Sequence, residues 1–214
     1  MQTRLTLWLV PAILYLAFTL WYTDFGGPLS DAEIAQHIDA MRSNGMSEQR
    51  IATITRFMRE DRGRQFLMLN ALDLNPKPPD VPGAAPGENA EQLMARYMAH
   101  MFPALLRRAC HPVLTGDAVF PAMDVSGIDN AEQWQSAAVI RYRSRRTFMA
   151  IVGDPAFMEA HPFKMASLAK TIAFPVETQF YLGDPRLLLA LLLLAVTALL
   201  DALWLKPVRG REGD

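Results

Sequence analysis

Two long apolar blocks lie near the two ends of the chain. The first runs from Leu5 to Tyr22 without a charged residue, and the second, from Leu187 to Leu205, contains one, Asp201. Each block is about as long as an α-helix that crosses a bilayer core of about 30 Å. The pattern therefore predicts transmembrane helices over residues 5–22 and 187–205.

The first block also has the position of a signal sequence. Its apolar run is longer than that of an ordinary signal peptide, and it ends in Leu20, Trp21 and Tyr22 instead of the small residues of a cleavage site. We therefore expect an uncleaved anchor. For Asp201 two interpretations stay open: a side chain that reaches the headgroups, or an intramembrane ionisable site or polar contact between helices.

Lysine and arginine at the flanks of the spans predict their orientation. Arg4 precedes the first span, and Lys206, Arg209 and Arg211 follow the second, whereas aspartates dominate the inner flanks. Because Lys and Arg concentrate on the cytoplasmic side, we expect both termini in the cytoplasm. The central domain would then be extracytoplasmic, and periplasmic if the source is a Gram-negative bacterium.

Between the spans, residues 30–61 have the pattern of two short helices. Ser30 and Glu33 have the spacing of a capping box, and apolar residues then recur at helical intervals up to Gly45. Ser47 is positioned to cap a second helix. We therefore expect a helical extension over 30–61.

The segment 64–178 alternates between strand and helix patterns. Strand candidates begin at Gln65, His111, Trp134 and Lys170, and helix starts fall at Asn89 and Ser144. The resulting order is strand, helix, strand, strand, helix, strand. This order is typical of an α+β, ferredoxin-like βαββαβ fold, with a four-stranded antiparallel sheet and helices on one face.

Proline and glycine residues predict the interruptions of these elements. Gly116 suggests a bulge, Pro103 a kink or the end of the regular part of its helix, Pro162 a restart of the second helical region, and Pro175 an edge strand. The loop 75–88 is too rich in proline and glycine for a regular element. It is a lid, a partner-binding loop or a mere insertion.

Both faces of the first strand are largely apolar. Phe66 and Met68 point to one side, and Leu67 and Leu69 to the other. Since helices would cover only one face of the sheet, the other face needs a further cover. We expect a second copy of the chain to cover it, which would make the protein a homodimer.

Two stretches resemble a known family. Trp134–Pro175 is similar to the closing half of a domain-of-unknown-function family in the dimeric α+β-barrel superfamily, and Arg64–Leu74 is similar to its opening strand. The Tyr-Arg-Ser-Arg turn from Tyr142 and the Asp-Pro-x-Phe stretch from Asp154 are the most specific parts. The resemblance implies a ferredoxin-like protomer and a homodimer with facing sheets, but no activity. The helical extension and the two spans mark this chain as a membrane-anchored variant.

The superfamily includes haem-degrading and small-molecule monooxygenases and muconolactone-type isomerases, with pockets between sheet and helices. A haem-degrading relative would need an asparagine on the first strand, a tryptophan and a histidine on the second helix. Asn70, Trp134 and His161 supply these residue types. We nevertheless expect no cofactor, since no pattern brings the three together.

Composition and charge narrow the classes of function that the sequence supports. The chain has 214 residues and a net charge of −1, so nothing in its charge points to a nucleic-acid partner. Its four histidines have no ligand spacing, and we expect no metal site. The single cysteine, Cys110, follows Arg107 and Arg108, which could lower its pKa, but no pattern supplies a base.

Four arginines, Arg141, Arg143, Arg145 and Arg146, lie where a strand ends and a helix begins. Positive charge in the first turn of a helix is unfavourable, so the last two are expected to have anionic partners. The available anions are Asp73, Asp117, Glu159 and lipid phosphates. Two interpretations of the four arginines stay open: ion pairing at the end of a strand, and a clamp that binds an anion at the mouth of a pocket.

The ligand-binding candidates are Asn70, Tyr97, Arg141 and Arg143, and the catalytic candidates are Arg141, Tyr142 and His161. One hypothesis is a membrane-tethered module that binds a small ligand, such as a small anion, or a partner at the lipid bilayer. The alternative is a small-molecule enzyme of the cofactor-free monooxygenase or isomerase type, in which Arg141 orients an anion and His161 or Tyr142 transfers protons. The sequence does not decide whether the protein is an enzyme.

Overall fold

The computed structural model describes residues 2–204, with side chains described from Thr3 onward. Leu205 and the predicted flanking charges Lys206, Arg209 and Arg211 lie outside the described residues. The chain forms two units, one from the segments up to Thr23 and from Gln179 onward, and one from Asp24–Thr178.

The first unit contains two helices, α1 (Gln2–Tyr22) and α7 (Pro185–Trp204), which pack against each other. Both are long and apolar enough to cross a membrane, and only 6% and 11% of their apolar windows are buried. A core helix of a soluble protein would be mostly buried, whereas many leucines of both helices are exposed.

The Asp201 carboxylate on α7 lies against polar groups of α1. Its Oδ2 atom accepts hydrogen bonds from Arg4 Nη2 at 2.7 Å and from the Trp8 indole at 3.3 Å. Of the two interpretations of Asp201, this contact favours a polar link between helices. It also neutralises the charge of Arg4, so the predicted orientation depends mainly on the cations beyond Trp204.

In the second unit a helical hairpin precedes the sheet. Its helices are α2 (Asp31–Ser43) and α3 (Glu48–Arg59). The Ser30 side chain accepts from the Glu33 N–H, and the Glu33 carboxylate accepts from the Ser30 N–H, which completes the predicted capping box. Ser47 stands at the cap position of α3, but its side chain makes no capping hydrogen bond.

The sheet and its helices follow in the predicted order, and the second helical region is divided into two helices, the second of which begins after Asp154. The elements are β1 (Phe66–Leu74), α4 (Ala90–Arg107), β2 (His111–Asp117), β3 (Ser136–Tyr142), α5 (Arg145–Val152), α6 (Pro155–Ser167) and β4 (Leu168–Val176). The strand order is β2-β3-β1-β4, and every pairing is antiparallel. The α+β class and the four-stranded antiparallel sheet are confirmed.

Two of the predicted interruptions are wrong in detail. Helix α6 continues through Pro162 without a restart, whereas α4 continues through Pro103 to its end at Arg107, so of the two outcomes expected at Pro103 the end of the helix does not occur. Gly116 pairs regularly with β3, whereas the irregularity of β2 lies between Pro112 and Leu114. Pro175 does lie on an edge strand, because β4 pairs only with β1.

The main core lies between one face of the sheet and the helices. Phe66 and Tyr142 of the sheet pack with Tyr97, Met101 and Leu105 of α4. A second cluster joins the α2–α3 hairpin to α5; its buried members are Leu29, Ile34, Met41, Ile51, Met58 and Met149.

We call the other side of the sheet the open face. Alternation along the paired strands assigns Leu69, Val139, Leu114, Phe174 and Ile172 to it. Among the described residues, neither hydrophobic cluster includes a side chain of this face. Leu114 is 56%, Phe174 45% and Ile172 40% exposed.

Candidate functional site

Arg146, in the first turn of α5, binds the segment that leads into α2. Its Nε atom donates to the Glu33 carboxylate at 2.6 Å, and its Nη atoms donate to the carbonyls of Gly27 and Pro28 at 3.1 and 2.9 Å. Hydrogen bonds from Arg146, Ser30 N–H and Ser30 hydroxyl lower the pKa of Glu33 to about 2. Arg146 therefore attaches the helical hairpin to the start of α5.

Arg145 likewise attaches the hairpin to the start of α5, through contacts near the end of α3. It donates to the carbonyl of Phe57 on α3, and its guanidinium lies 4.5 Å from the centroid of the Phe57 ring. Carboxylate oxygens of Asp61 and Glu177 lie 3.9 and 3.7 Å from its nitrogens. The predicted need for anionic partners is therefore met.

The identity of those partners was predicted wrongly. Asp73, Asp117 and Glu159 contribute nothing to the α5 arginines, and Asp73 instead lies 3.9 Å from Lys170 Nζ. The actual carboxylates come from the hairpin and from the ends of the unit, as far as 113 positions away in the case of Glu33.

Arg141 lies on the open-face side of β3, but only 1% of it is exposed. Its Nη1 atom donates to the Ala109 carbonyl at 2.6 Å, and Nε and Nη2 donate to Gln65 Oε1 at 3.0 and 2.7 Å. These bonds hold the ends of β1 and β3 to the turn before β2. Arg143 follows the strand; its main-chain N–H donates to Cys110 Sγ at 3.4 Å.

Tyr142 points to the other side of the sheet, into the main core. Its ring stacks on Phe66 with a centroid distance of 5.3 Å and meets Phe148 edge-on at 5.0 Å. Burial, followed by the proximity of Tyr97 and Cys110, raises the pKa of Tyr142. Burial also raises the pKa of Tyr97 to about 12. Neither phenol is suited to proton transfer near neutral pH.

Asn70 lies on the helix-facing side of β1 and is partly buried. Its Nδ2 group donates to the carbonyls of Met68 and Ala138 at 3.1 and 3.2 Å. Since Asn70 and Arg141 face opposite sides of the sheet, they cannot line one pocket. Of the other candidates, Tyr97 and Tyr142 lie together in the main core, on the side of the sheet opposite to Arg141.

His161 lies inside α6 and not at a helix break. Its ring is 5.2 Å from the Phe157 ring, which in turn is 6.2 Å from the Tyr97 ring. Burial, followed by the charges of Lys164 and Arg50, lowers the pKa of His161. Lys164 and Arg50 were not candidates from the sequence, although the His-x-x-Lys spacing within a helix places both side chains of α6 on one face.

Cys110 is fully buried beside Tyr142. Burial raises the pKa of its thiol and outweighs the opposing effects of the Arg143 N–H and the nearby arginines. The effect of a flanking arginine that the sequence suggested is present for Arg108, but it is smaller than that of burial. The thiol packs as a small core side chain.

The long connection between β2 and β3 forms a cavity of about 570 Å³ on the open-face side of the sheet. Trp134 and Lys170 contribute to its lining, with the Lys170 ammonium 4.9 Å from the Trp134 ring centroid. Ala71 and Ile172 of the open face also line it. Trp134 therefore lies on the side of the sheet opposite to Asn70 and α6. Asn70, Trp134 and His161, the residue types that a haem-degrading relative would need, do not come together.

The loop 75–88 has no regular secondary structure and lies against α6 and the start of α4. The Asn75 N–H donates to the Ser167 carbonyl at 2.9 Å, and a Cβ at Gly83 would lie 3.5 Å from the Phe163 ring. Glu88 pairs with Arg96 of α4 at 2.5 Å. Among the described residues, no three His, Cys, Asp or Glu side chains come close enough to hold a metal ion.

No family model and no curated protein matches the chain. Among solved structures, the RPA0582 protein of unknown function from Rhodopseudomonas palustris is 20% identical, with a TM-score of 0.50 over 63% of this chain and 95% of that chain. Its methylated form is 21% identical, with a TM-score of 0.52 over 64% and 95%. A dimeric ferredoxin-like protein of unknown function from Jannaschia sp. CCS1 is 14% identical, with a TM-score of 0.36 over 53% and 99%.

These comparisons bear on the fold alone, at identities far below those that transfer a function. The RPA0582 protein and the Jannaschia protein are both described as proteins of unknown function. The comparison with the RPA0582 protein supports the fold of the α+β sheet, whereas the membrane-anchored variant of the family stays a prediction.

Proposed function

We propose that this protein is a two-span membrane protein whose central domain is a binding and interaction module that pairs with a second copy through the open face. The domains would be the spans 5–22 and 187–205, the helical extension 30–61 and the ferredoxin-like domain 64–178. The exposure of the apolar open face is the observation that carries this proposal.

The chemistry of the open face favours a second copy as its occupant. Its charged members are already satisfied: Arg141 is buried with its hydrogen bonds made, and Lys170 lies against Asp73. Two identical apolar faces can meet without leaving a charge unpaired. The adjacent loop adds exposed apolar side chains to the same side of the sheet, including Val125 and Ile128 of the cavity lining.

A binding module fits the internal residues better than an enzyme does. An enzyme would require Arg141 to act with Tyr142 or His161 on one substrate. Arg141 and Tyr142 are neighbours on β3 and point to opposite sides of the sheet. The enzyme alternative therefore has no converged pair of groups among its candidates.

The mass of the full chain in detergent tests the pairing. We expect the unaltered chain to be a dimer by light scattering and Phe174→Glu to be a monomer. Phe102→Glu on α4 is the matched control, because Phe102 is 44% exposed against 45% for Phe174 but lies on a helix. A monomeric unaltered chain, or a dimeric Phe174→Glu variant, would contradict the proposal.

Protease protection in sealed membranes tests the placement. If both termini are cytoplasmic and the central domain is extracytoplasmic, a protease added on the extracytoplasmic side should cleave within 24–178 and leave a tag at the N-terminus protected. Cleavage of the tag with protection of the domain would reverse the orientation.

A further inference from the structure

The connection between β2 and β3 crosses the open face at one end of the sheet, and we call it the arm (residues 118–135). It leaves β2 at one edge of the sheet. At the other edge, Lys170 Nζ of β4 donates to the Asn130 carbonyl of the arm at 2.5 Å. The first N–H of the arm, from Ala118, donates to the carbonyl of its last residue, Gln135, at 2.8 Å. The arm is therefore held at its base and at the far edge of the sheet.

Beneath the arm, three strands of the open face carry small residues. Gly116, Ala137 and Ala71 form a row across β2, β3 and β1. Ile172 continues this row on β4, and Ala71 and Ile172 line the cavity described above, which the arm covers. This end of the sheet is thus covered by the arm of the same copy.

A row of larger side chains lies next to this one on the same face, and we call it the apolar row: Leu114, Val139, Leu69 and Phe174. It crosses all four strands and contains no polar or charged residue. Leu114 and Phe174, at its two ends, are exposed. A cover for this row has to supply large apolar side chains of its own.

The arm carries such side chains on its outer side. Val119 is 99%, Phe120 72% and Met123 84% exposed, and none of the three lines the cavity beneath the arm. The stretch from Ala118 to Met123 contains no charged residue. The arm therefore exposes an apolar surface that points away from its own sheet, which is unfavourable in a single copy.

We propose that two copies exchange their arms, so that Val119, Phe120 and Met123 of each copy pack on the apolar row of the other. This inference rests on the pairing through the open face proposed above, and it adds the part of the partner that covers that face. A two-fold rotation lets each arm meet the row of the other copy, so the same contact is made twice.

The exposed apolar area is large enough for a stable pair. The side chains that contribute to it are Val119, Phe120, Met123, Val125 and Ile128 of the arm and Leu114, Ile172 and Phe174 of the open face. Their exposed fractions amount to about five whole side chains, and at roughly 150–200 Å² for each of these the area is on the order of 800 Å² per copy. Stable protein pairs bury about 800 Å² per partner.

The charges of the arm favour a second copy over a lipid surface as its contact. Its charged residues are Asp124, Asp129 and Glu132, and it contains neither lysine nor arginine. Anionic lipid headgroups attract basic segments and repel acidic ones. The apolar row carries no charge, so it can receive the arm without such repulsion.

Photochemical crosslinking of the full chain in vesicles of phosphatidylcholine and phosphatidylglycerol tests the exchange. One copy carries p-benzoylphenylalanine in place of Phe120, and it is mixed in detergent with an unaltered copy labelled with ¹⁵N before reconstitution. We expect adducts in which the probe peptide is joined to a ¹⁵N-labelled peptide that contains a residue of the apolar row. The same probe in place of Phe102, which is similarly exposed to Phe174 but lies on α4, should give no such adduct.

The strength of pairing gives a second measurement. Phe120→Ser combined with Met123→Ser should raise the dissociation constant of the pair at least tenfold in sedimentation equilibrium, because both side chains lose their contact. Met165→Ser is the control, since Met165 is 50% exposed but lies on α6, on the other side of the sheet. Thermal melting shows whether each variant is folded.

Three outcomes would overturn the exchange while the pairing stands: a dimer in which the Phe120 probe reacts only within its own copy, one in which it reacts with lipid, or an unchanged dissociation constant in the double variant. Reaction with lipid would assign the arm to the bilayer surface. A monomeric unaltered chain would overturn the pairing and the exchange together.

Discussion

Asp201 and Arg4 are joined across the two terminal helices, although 197 positions separate them in the chain. The Asp201 Oδ2 atom accepts from Nε and Nη2 of Arg4 at 3.1 and 2.7 Å. The two charges neutralise each other near one end of both helices. The pair therefore fixes which residues of α1 and α7 lie side by side.

Loss of one partner should weaken the helix pair more than loss of both. Arg4→Gln leaves the carboxylate without its cation, whereas the double variant Arg4→Gln with Asp201→Asn keeps neutral groups that still hydrogen-bond. We expect energy transfer between dyes on the two helices to be lost at a lower sodium dodecyl sulfate concentration in Arg4→Gln than in the double variant. The opposite order would show that the pair does not hold the helices together.

Gly63 should be far less tolerant of substitution than Gly45. Both have positive φ angles, of 68° and 74°, so alanine is strained at either position. A Cβ on Gly63 would also lie 2.6 Å from the main-chain carbon of Gly27, whereas nothing lies within 4 Å of a Cβ on Gly45. We expect chemical denaturation to give about 1 kcal/mol loss for Gly45→Ala and at least about 3 kcal/mol for Gly63→Ala. An equal loss of unfolding free energy in the two variants would show that the main chain at Gly27 can move away from the new Cβ without destabilising the protein.

The stability of the central unit should fall in acid through the titration of Glu33. The folded state lowers the pKa of Glu33 from 4.5 to about 2, so the unfolded chain binds more protons between these values. The contribution is complete above pH 4.5 and is lost as the pH falls towards 2. Glu33→Gln should remove this part of the pH dependence of unfolding. An unchanged acid profile in that variant would contradict the role of Arg146 at Glu33.

Cys110 should react with thiol reagents only when the central unit opens. It is the only cysteine of the chain, it is fully buried, and burial raises the pKa of its thiol. We expect labelling by iodoacetamide at pH 8 to be slow in the native protein and to accelerate in Gly63→Ala. Rapid labelling of the unaltered chain would show that the core near Tyr142 is open to solvent.

Local patterns predicted most of the fold. The capping box at Ser30, the helix start at Asn89, the order of strands and helices along the chain and the two apolar helices follow from residues close together in sequence. Helices α4 and α6 continue through their prolines for a physical reason. Pro103 and Pro162 each leave a carbonyl four residues earlier without its helical bond, but those positions, Ala99 and Met158, are exposed, so water can take the donor's place.

The site residues were harder to predict, because their partners are distant in sequence. Alternation along β3 predicts that Arg141 and Tyr142 lie on opposite faces of the strand, and the structure agrees. Nothing in the sequence pairs Arg146 with Glu33, since this contact exists only after the hairpin packs on the start of α5.

Pro175 on the edge strand limits how copies of this chain can add to one another. Proline in an edge strand turns its nitrogen away from the ladder, so the outer border of β4 lacks one amide donor. A neighbouring chain that tried to extend the sheet sideways would find a gap in the hydrogen-bonding row. Addition of further copies along this border into an extended ribbon is thereby disfavoured.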